Sequence, residues 1–159
     1  MNKHELIKLA GEHYTDAQVE LLTHAIDYAT EQHAGQMRQS GEPYISHPLQ
    51  VAATLIDWGM DIDSAVAGVL HDTVEDTDAT LEEITELFGK DIAFLVDGVT
   101  KVSQARAGMR DLASYLPATR DNLTKLLIAV GQDVRVIIIK LSDRLHNMQT
   151  LQFKSGGKQ

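Results

Sequence analysis

The chain has 159 residues, 43% hydrophobic and 23% charged, which is an ordinary composition for one soluble globular domain. Its formal net charge of −9 argues against nucleic acid as the main partner and disfavours an anionic membrane surface, because both are bound through Lys and Arg. With no cysteine in the chain, disulfides, thiolate metal sites and a cysteine nucleophile are excluded. Because we find no secretory signal and no long apolar run, we expect a cytoplasmic protein.

The first predicted helix begins after Thr15, since Thr15 and Gln18 have the spacing of a capping box. Apolar residues and one histidine then recur on one helical stripe: Val19, Leu22, Ile26, Ala29 and His33. We expect this helix to end near Gly35.

Turn residues dominate positions 38–44. Pro48 suits the first turn of a second helix, which is predicted to close at Trp58–Gly59, and Trp58 is interpreted as a packing residue. A third helix is predicted to begin between Asp61 and Asp63 and to fray around residues 73–76.

Another capping box begins at Thr80, and Gly89 is expected to stop the short helix that follows. A fifth helix is predicted from Asp91 to Val99. Residues from about Lys101 to Leu116 have poor periodicity and contain two arginines, so they are predicted to form a loop or lid, with helix resuming after Pro117.

The segment from Val134 to Ile139 has the β-branched composition of a strand. However, Leu141, Leu145 and Met148 continue with helical spacing well beyond the length of a strand. We therefore predict one buried helix over about 133–151 and an all-α chain.

Two imidazoles and two carboxylates form a candidate metal site: His47, the adjacent pair His71 and Asp72, and Asp143. Borderline first-row divalent ions accept this ligand set, and four protein ligands on a six-coordinate ion leave positions for water and a substrate oxygen. Simpler readings stay open, because a single histidine near a helix start is usually capped or solvated and a His-Asp pair is common by chance. Asp143 could also pair with Lys140 or Arg144 on a solvated face.

Further acidic and polar residues cluster around these positions. On a helix, Glu75 and Asp76 would lie one turn after His71 and Asp72, and this density of negative charge calls for a compensating cation. Asn147 and Thr150 extend a polar stripe from Asp143. Such a stripe is costly if it is buried without partners, although a solvated outer face is an equal alternative.

Four separated segments resemble, in the right order, the successive motifs of the RelA/SpoT-type (p)ppGpp hydrolase domain, a member of the HD superfamily of metal-dependent phosphohydrolases. These segments are HAGQMRQSGEPYISHPLQVA, GVLHDTVEDT, FGKDIAFLVDGVTK and IIIKLSDRLHNMQTL. The resemblance is specific because it covers nearly the whole chain. It implies an all-α, compact, multi-helix HD-domain bundle.

The resemblance also implies roles for individual residues. Metal ligands, typically for manganese, would be His47, His71, Asp72 and Asp143. Glu75 and Asp76 would be catalytic. Arg38 would pack on the guanine base, with Ser40, Asn147 and Thr150 lining the nucleoside pocket. His33 and His146 match the family pattern and are expected to be core or supporting residues.

The implied enzyme is a guanosine-3′,5′-bis(diphosphate) 3′-diphosphatase. It would hydrolyse the 3′-pyrophosphate of guanosine tetraphosphate or pentaphosphate to GDP or GTP and pyrophosphate, with Mn²⁺ and a metal-activated water. Two alternatives stay open: a broader HD nucleotide phosphohydrolase, and an inactive nucleotide-binding or regulatory fragment.

The resemblance ends near Leu151, whereas hydrolase domains of this family continue into further helices and bifunctional members add a synthetase domain. We therefore expect a C-terminally short hydrolase domain over residues 1–153, a flexible tail over 154–159 and no synthetase activity. Homo-oligomer formation would be one way to cover apolar surface left exposed.

Overall fold

The computed structural model describes the backbone of residues 1–111 and 133–157, and the side chains of residues 1–104 and 133–150. In these parts of the chain all regular structure is helical, apart from an isolated antiparallel bridge between Met37 and Pro43. The prediction of an all-α bundle is therefore confirmed. No helix among the described residues is both long and apolar enough to cross a membrane.

The described helices follow one another in chain order as α1 (Lys3–Gly11), α2 (Asp16–Gln32), α3 (Ser46–Asp57), α4 (Ile62–Leu70), α5 (Thr73–Asp76), α6 (Leu81–Phe88), α7 (Lys90–Asp111) and α8 (Val134–Gly157).

Both predicted capping residues occupy helix starts. The Thr15 hydroxyl accepts a hydrogen bond from the Gln18 backbone N–H while the Gln18 side chain accepts one from the Thr15 N–H, which completes the capping box of α2. The Thr80 hydroxyl caps α6 by accepting from the N–H of Glu83 at 3.2 Å, which is one half of the capping box predicted there. Gly89 ends α6 with a φ of 98°, a conformation that favours glycine.

Helix α1 was not predicted from the sequence. Its signal was weak because only Leu6 and Ala10 are buried, so no long apolar stripe marks the helix. The start of α1 is nevertheless capped, since the Asn2 side chain accepts from the Glu5 N–H at 2.9 Å.

The predicted loop from Lys101 onward was wrong as far as Asp111, because α7 continues through these residues. The helix persists because Val99 and Val102 stay buried on its inner face, while Lys101 pairs with Asp97 one turn earlier on the outer face. Positions 112–116 and the predicted helix after Pro117 lie outside the described residues, as do the side chains of Arg106 and Arg110.

The β-branched segment at 134–139 is helical, as the longer periodicity predicted, and α8 runs to Gly157 instead of ending near Leu151. The prediction of a buried helix holds for one face only. Val136 and Ile139 face the core, whereas Leu141 and Met148 are more than half exposed. Trp58 was also predicted wrongly as a packing residue: it follows α3 at the surface and is 47% exposed.

Helix α4 lies at the centre of the bundle and contacts α2, α3, α7 and α8. Large apolar side chains fill the core around it, including Leu22, Ile26, Leu55, Leu70, Leu95 and Ile139. The Ser142 hydroxyl donates to the Val51 carbonyl at 3.0 Å and so ties α8 to α3. This contact places the next residue, Asp143, opposite the start of α3.

Candidate metal centre

Three parts of the bundle bring the four predicted metal ligands together. His47 lies in the first turn of α3, His71 and Asp72 lie between α4 and α5, and Asp143 lies in α8. One possible ligand atom from each of the four residues lies within 4.8 Å of the other three. His47, His71 and Asp143 are buried and Asp72 is partly buried, so the structure forms a converging cluster of nitrogen and oxygen donors.

The two imidazoles present the same nitrogen to the carboxylates. His47 Nε2 lies 2.6 Å from Asp143 Oδ1, and His71 Nε2 lies 3.2 Å from the same oxygen. His71 Nε2 is also 3.0 Å from Asp72 Oδ2. His71 Nδ1 lies 2.6 Å from the Gly68 carbonyl oxygen. Because a carbonyl only accepts, His71 must carry a hydrogen on Nδ1, and in the neutral ring the lone pair of Nε2 then faces the carboxylates.

The cluster concentrates negative charge. Burial acts to raise the pKa of Asp72, but the charge and hydrogen bond of His71 outweigh it and lower that pKa to about 2. Burial opposes ionisation of Asp143 as well, yet hydrogen bonds from His47 and His71 hold its pKa far below the usual range. The pKa of His47 is lowered, chiefly by burial, whereas the two carboxylates raise that of His71 despite burial. Two ionised, desolvated carboxylates beside two imidazoles form a donor set that suits a divalent cation, whose binding would take the place of the proton on His71.

Asp143 also pairs with Lys140, as the simpler interpretation of the sequence allowed. Lys140 Nζ lies 2.8 Å from Asp143 Oδ2 and 2.8 Å from the hydroxyl of Ser103 on α7. The ion pair does not replace the cluster, because it uses Oδ2 while the imidazoles face Oδ1. Asp143 therefore joins both arrangements.

Tyr44 was missed by the sequence analysis, which assigned its segment only as a turn. Its hydroxyl donates to Asp72 Oδ2 at 2.7 Å and lies 3.3 Å from Asp76 Oδ2. Burial first, and then the charge of Asp72, raise the pKa of Tyr44, which keeps the hydroxyl protonated. An aromatic residue three positions before His47 in a polar turn was the available signal.

The two predicted catalytic carboxylates lie on α5 beside the cluster. Desolvation and the charge of Asp72 raise the pKa of both Glu75 and Asp76. Glu75 lines a neighbouring cavity, while Asp76 is connected to the cluster through Tyr44. Gln36 donates to the backbone carbonyl of Asp76 at 2.9 Å and so joins α5 to the turn after α2.

The cavity beside the cluster has a volume of about 580 Å³. Its wall contains His47, Asp72 and Asp143 together with all four predicted substrate contacts: Arg38, Ser40, Asn147 and Thr150. Arg38 Nη2 donates to Asn147 Oδ1 at 3.2 Å and to Thr150 Oγ1 at 3.4 Å, so the turn after α2 meets α8. Lys140 and Arg144 add positive charge to the same wall.

The two remaining histidines of the family pattern differ in their surroundings. His33 is buried, lies 3.0 Å from the Gln36 side-chain oxygen through Nδ1, and packs against the Tyr44 ring. His146 contacts His47, and burial followed by the charges of His47 and Arg38 lowers its pKa to about 4.

Comparison with known proteins supports this reading of the fold. The sequence profile described as "HD domain" matches residues 25–159. A protein of Myxococcus xanthus named GTP pyrophosphokinase is 47% identical over 149 residues, covering 94% of this chain and 19% of the relative. A protein of Aquifex aeolicus named guanosine-3′,5′-bis(diphosphate) 3′-pyrophosphohydrolase is 47% identical over 132 residues, covering 83% of this chain and 18% of the relative.

A solved structure described as a metazoan ortholog of SpoT that hydrolyses ppGpp superposes with a TM-score of 0.64 at 29% identity, covering 88% of this chain and 73% of that one. The chain thus spans about a fifth of the length of the curated relatives it matches. The resemblance to RelA/SpoT-type hydrolase domains is confirmed by these relatives. The profile match over most of the sequence shows that the chain belongs to the HD domain family.

Proposed function

We propose that this chain is a Mn²⁺-dependent hydrolase that removes the 3′-pyrophosphate of guanosine tetraphosphate or pentaphosphate, giving GDP or GTP and pyrophosphate. The observation that carries the proposal is the position of the four donor groups, which lie within 4.8 Å of one another. Three of them, from His47, Asp72 and Asp143, lie in the wall of a cavity of about 580 Å³. The Aquifex relative is named for this reaction, and the similar solved structure is described as hydrolysing ppGpp.

His47, His71, Asp72 and Asp143 would hold the cation. Their carboxylates balance a charge of 2+, and a mixed imidazole and carboxylate set suits first-row divalent ions. When bound, such a cation lowers the pKa of a water molecule towards about 7 and polarises a phosphoryl oxygen. We propose Mn²⁺ as the bound cation because it is typical of the family that the sequence resembles.

Glu75 and Asp76 would handle the proton of the attacking water. Both carboxyl groups have raised pKa values, which brings them closer to the range in which a group both accepts and releases protons at neutral pH. The Tyr44 hydroxyl donates to Asp72 and lies near Asp76, so it would fix the positions of the Asp72 and Asp76 carboxylates relative to each other.

Arg38 would bind the guanine base, and the neighbours of Arg38 would hold its guanidinium in place. A guanidinium is planar and stacks on aromatic faces, and hydrogen bonds to Asn147 and Thr150 fix its orientation at the cavity wall. Lys140 and Arg144 would offset the charge of the phosphates, which a chain with a net charge of −9 otherwise repels. We place this activity in the cytoplasm.

The test is to incubate the purified chain with ppGpp and Mn²⁺ and to measure GDP and pyrophosphate, beside Asp72→Ala. We expect turnover in the wild type and its loss in the variant. Asp27→Ala is the matched control, because it also removes a carboxylate but one that is exposed and paired with Lys3 at the surface. The control should keep wild-type turnover.

A substrate panel of ppGpp, GTP and ATP separates the remaining interpretations. Equal turnover of all three would overturn alarmone specificity and favour a broader nucleotide phosphohydrolase. Calorimetric binding of ppGpp without product would contradict the catalytic proposal and favour a nucleotide-binding fragment. No binding and no turnover in the presence of Mn²⁺ would contradict it altogether.

A further inference from the structure

His47 and His146 meet edge to edge between α3 and α8. Their Nδ1 atoms are 2.6 Å apart, the ring centroids are separated by 4.9 Å, and the ring planes differ by 14°. The centroid separation is close to the nitrogen–nitrogen distance plus the two ring radii. The rings are therefore nearly coplanar, with both nitrogens on the line between them, which is the geometry of a hydrogen bond.

Only one hydrogen fits between two nitrogens at this distance, so one ring donates and the other accepts. A cation at the cluster requires a lone pair on His47 Nε2, the atom that faces Asp143. A neutral imidazole with a lone pair on Nε2 carries its hydrogen on Nδ1. The ring of His146 must then accept at Nδ1 and keep its own hydrogen on Nε2.

From this geometry we infer that His146 is a positioning residue of the cation-bound site: there it accepts the Nδ1 hydrogen of His47 and thereby holds the His47 Nε2 lone pair towards the cation, in place of the hydrogen bond that Nε2 otherwise makes to Asp143. The inference rests on the proposed function, since it assigns a role around the same cation. It goes beyond the expectation from the sequence, in which His146 was only a core or supporting residue with no assigned contact.

The second imidazole of the cluster, His71, is also oriented by a hydrogen bond from its Nδ1, but to a different kind of acceptor. His71 Nδ1 donates to the backbone carbonyl of Gly68, which no side-chain substitution removes. His47 depends instead on a side chain. Because His146 lies three residues after Asp143 on α8, one helix supplies both a candidate ligand and the acceptor that orients another ligand.

The test compares two variants of His146 by calorimetric titration with Mn²⁺ alone. His146→Leu keeps much of the volume but has no acceptor, whereas the side-chain oxygen of His146→Asn can occupy the place of Nδ1. We expect His146→Leu to weaken Mn²⁺ binding by about 10–100-fold, the usual effect of losing such a partner, and His146→Asn to restore most of the affinity. Wild-type affinity in His146→Leu would overturn the inference.

A second measurement does not depend on how the variants fold. In the wild-type chain loaded with diamagnetic Zn²⁺, long-range ¹H–¹⁵N spectra report which ring nitrogen carries hydrogen. We expect His47 to be protonated at Nδ1 and His146 at Nε2, and the reverse pattern would overturn the inference. If the wild type binds Mn²⁺ and hydrolyses ppGpp but His146→Leu binds Mn²⁺ equally well, only this inference is refuted. If the wild type does not bind Mn²⁺, the proposed function is refuted as well.

Discussion

Gly98 lies where α7 crosses α8, and substituting it tests the packing that positions Asp143. A Cβ placed on Gly98 would lie 2.6 Å from Val136 Cγ2 and 3.3 Å from Cγ1, whereas ordinary contacts are 3.4–4 Å. Val136 is 1% exposed, and a β-branched side chain in a helix has little rotational freedom to move away. The two helices must therefore shift if Gly98→Ala is to fold.

The expected cost follows from two opposing terms. Overpacking a buried contact costs about 1–3 kcal/mol, while replacing glycine by alanine inside a helix returns about 0.5–1 kcal/mol. We predict that Gly98→Ala lowers the free energy of unfolding by about 1–2 kcal/mol. Gly11→Ala is the control, because its added Cβ would meet nothing within 4 Å. It should be neutral or slightly stabilising.

Urea unfolding followed by far-UV circular dichroism measures these changes. The pair Gly98→Ala and Val136→Ala forms a double-mutant cycle, since removing both γ-methyl groups removes the clash. We expect the double variant to be less destabilised than the sum of the single variants by about 1 kcal/mol or more. Strict additivity, or a Gly98→Ala variant as stable as Gly11→Ala, would refute the packing argument.

Three further predictions concern single interactions. Thr15→Ala should lower the free energy of unfolding by about 1 kcal/mol, because it removes the hydroxyl that caps α2; no change in urea unfolding would contradict the capping assignment. Tyr14→Phe should cost a similar amount, about 1 kcal/mol, by removing the hydrogen bond to the Met60 carbonyl. Burial and then the charge of Asp61 raise the pKa of Tyr14 to about 12. The contribution of Tyr14 to stability should therefore be complete below pH 10 and be lost as pH rises through about 12. If the free energy of unfolding of Tyr14→Phe had the same dependence on alkaline pH as that of the wild type, this prediction would be wrong. Added Mn²⁺ should raise the thermal midpoint, with about 2.7 kcal/mol of stabilisation at a concentration of 100 Kd, and a chelator should reverse the shift; a midpoint indifferent to Mn²⁺ would count against a metal site.

Local signals in the sequence predicted most helix boundaries. Thr15 and Thr80 begin helices because each hydroxyl satisfies a backbone N–H that the helix leaves free, and Gly89 ends one through its positive φ. The extension of α7 to Asp111 could not be recognised in this way. Its stability depends on the burial of Val102 against the bundle, which is a tertiary contact.

The candidate site shows the same division between local and tertiary information. Motif order indicated four ligands, but their convergence depends on contacts such as Ser142 with Val51, which set α8 against α3. Tyr44 was missed, and His146 was expected only as a core or supporting residue, for a related reason. Tyr44 contacts Asp72 and His146 contacts His47, each on another element, so neither contact is visible in a local pattern.

The most direct test of the metal site is a crystal structure of the chain grown with Mn²⁺, with an anomalous difference map collected to locate the ion. We expect one strong peak within bonding reach of His47 Nε2, His71 Nε2 and a carboxylate oxygen from each of Asp72 and Asp143. A peak elsewhere with the cluster empty, or coordination that leaves out Asp143, would contradict it.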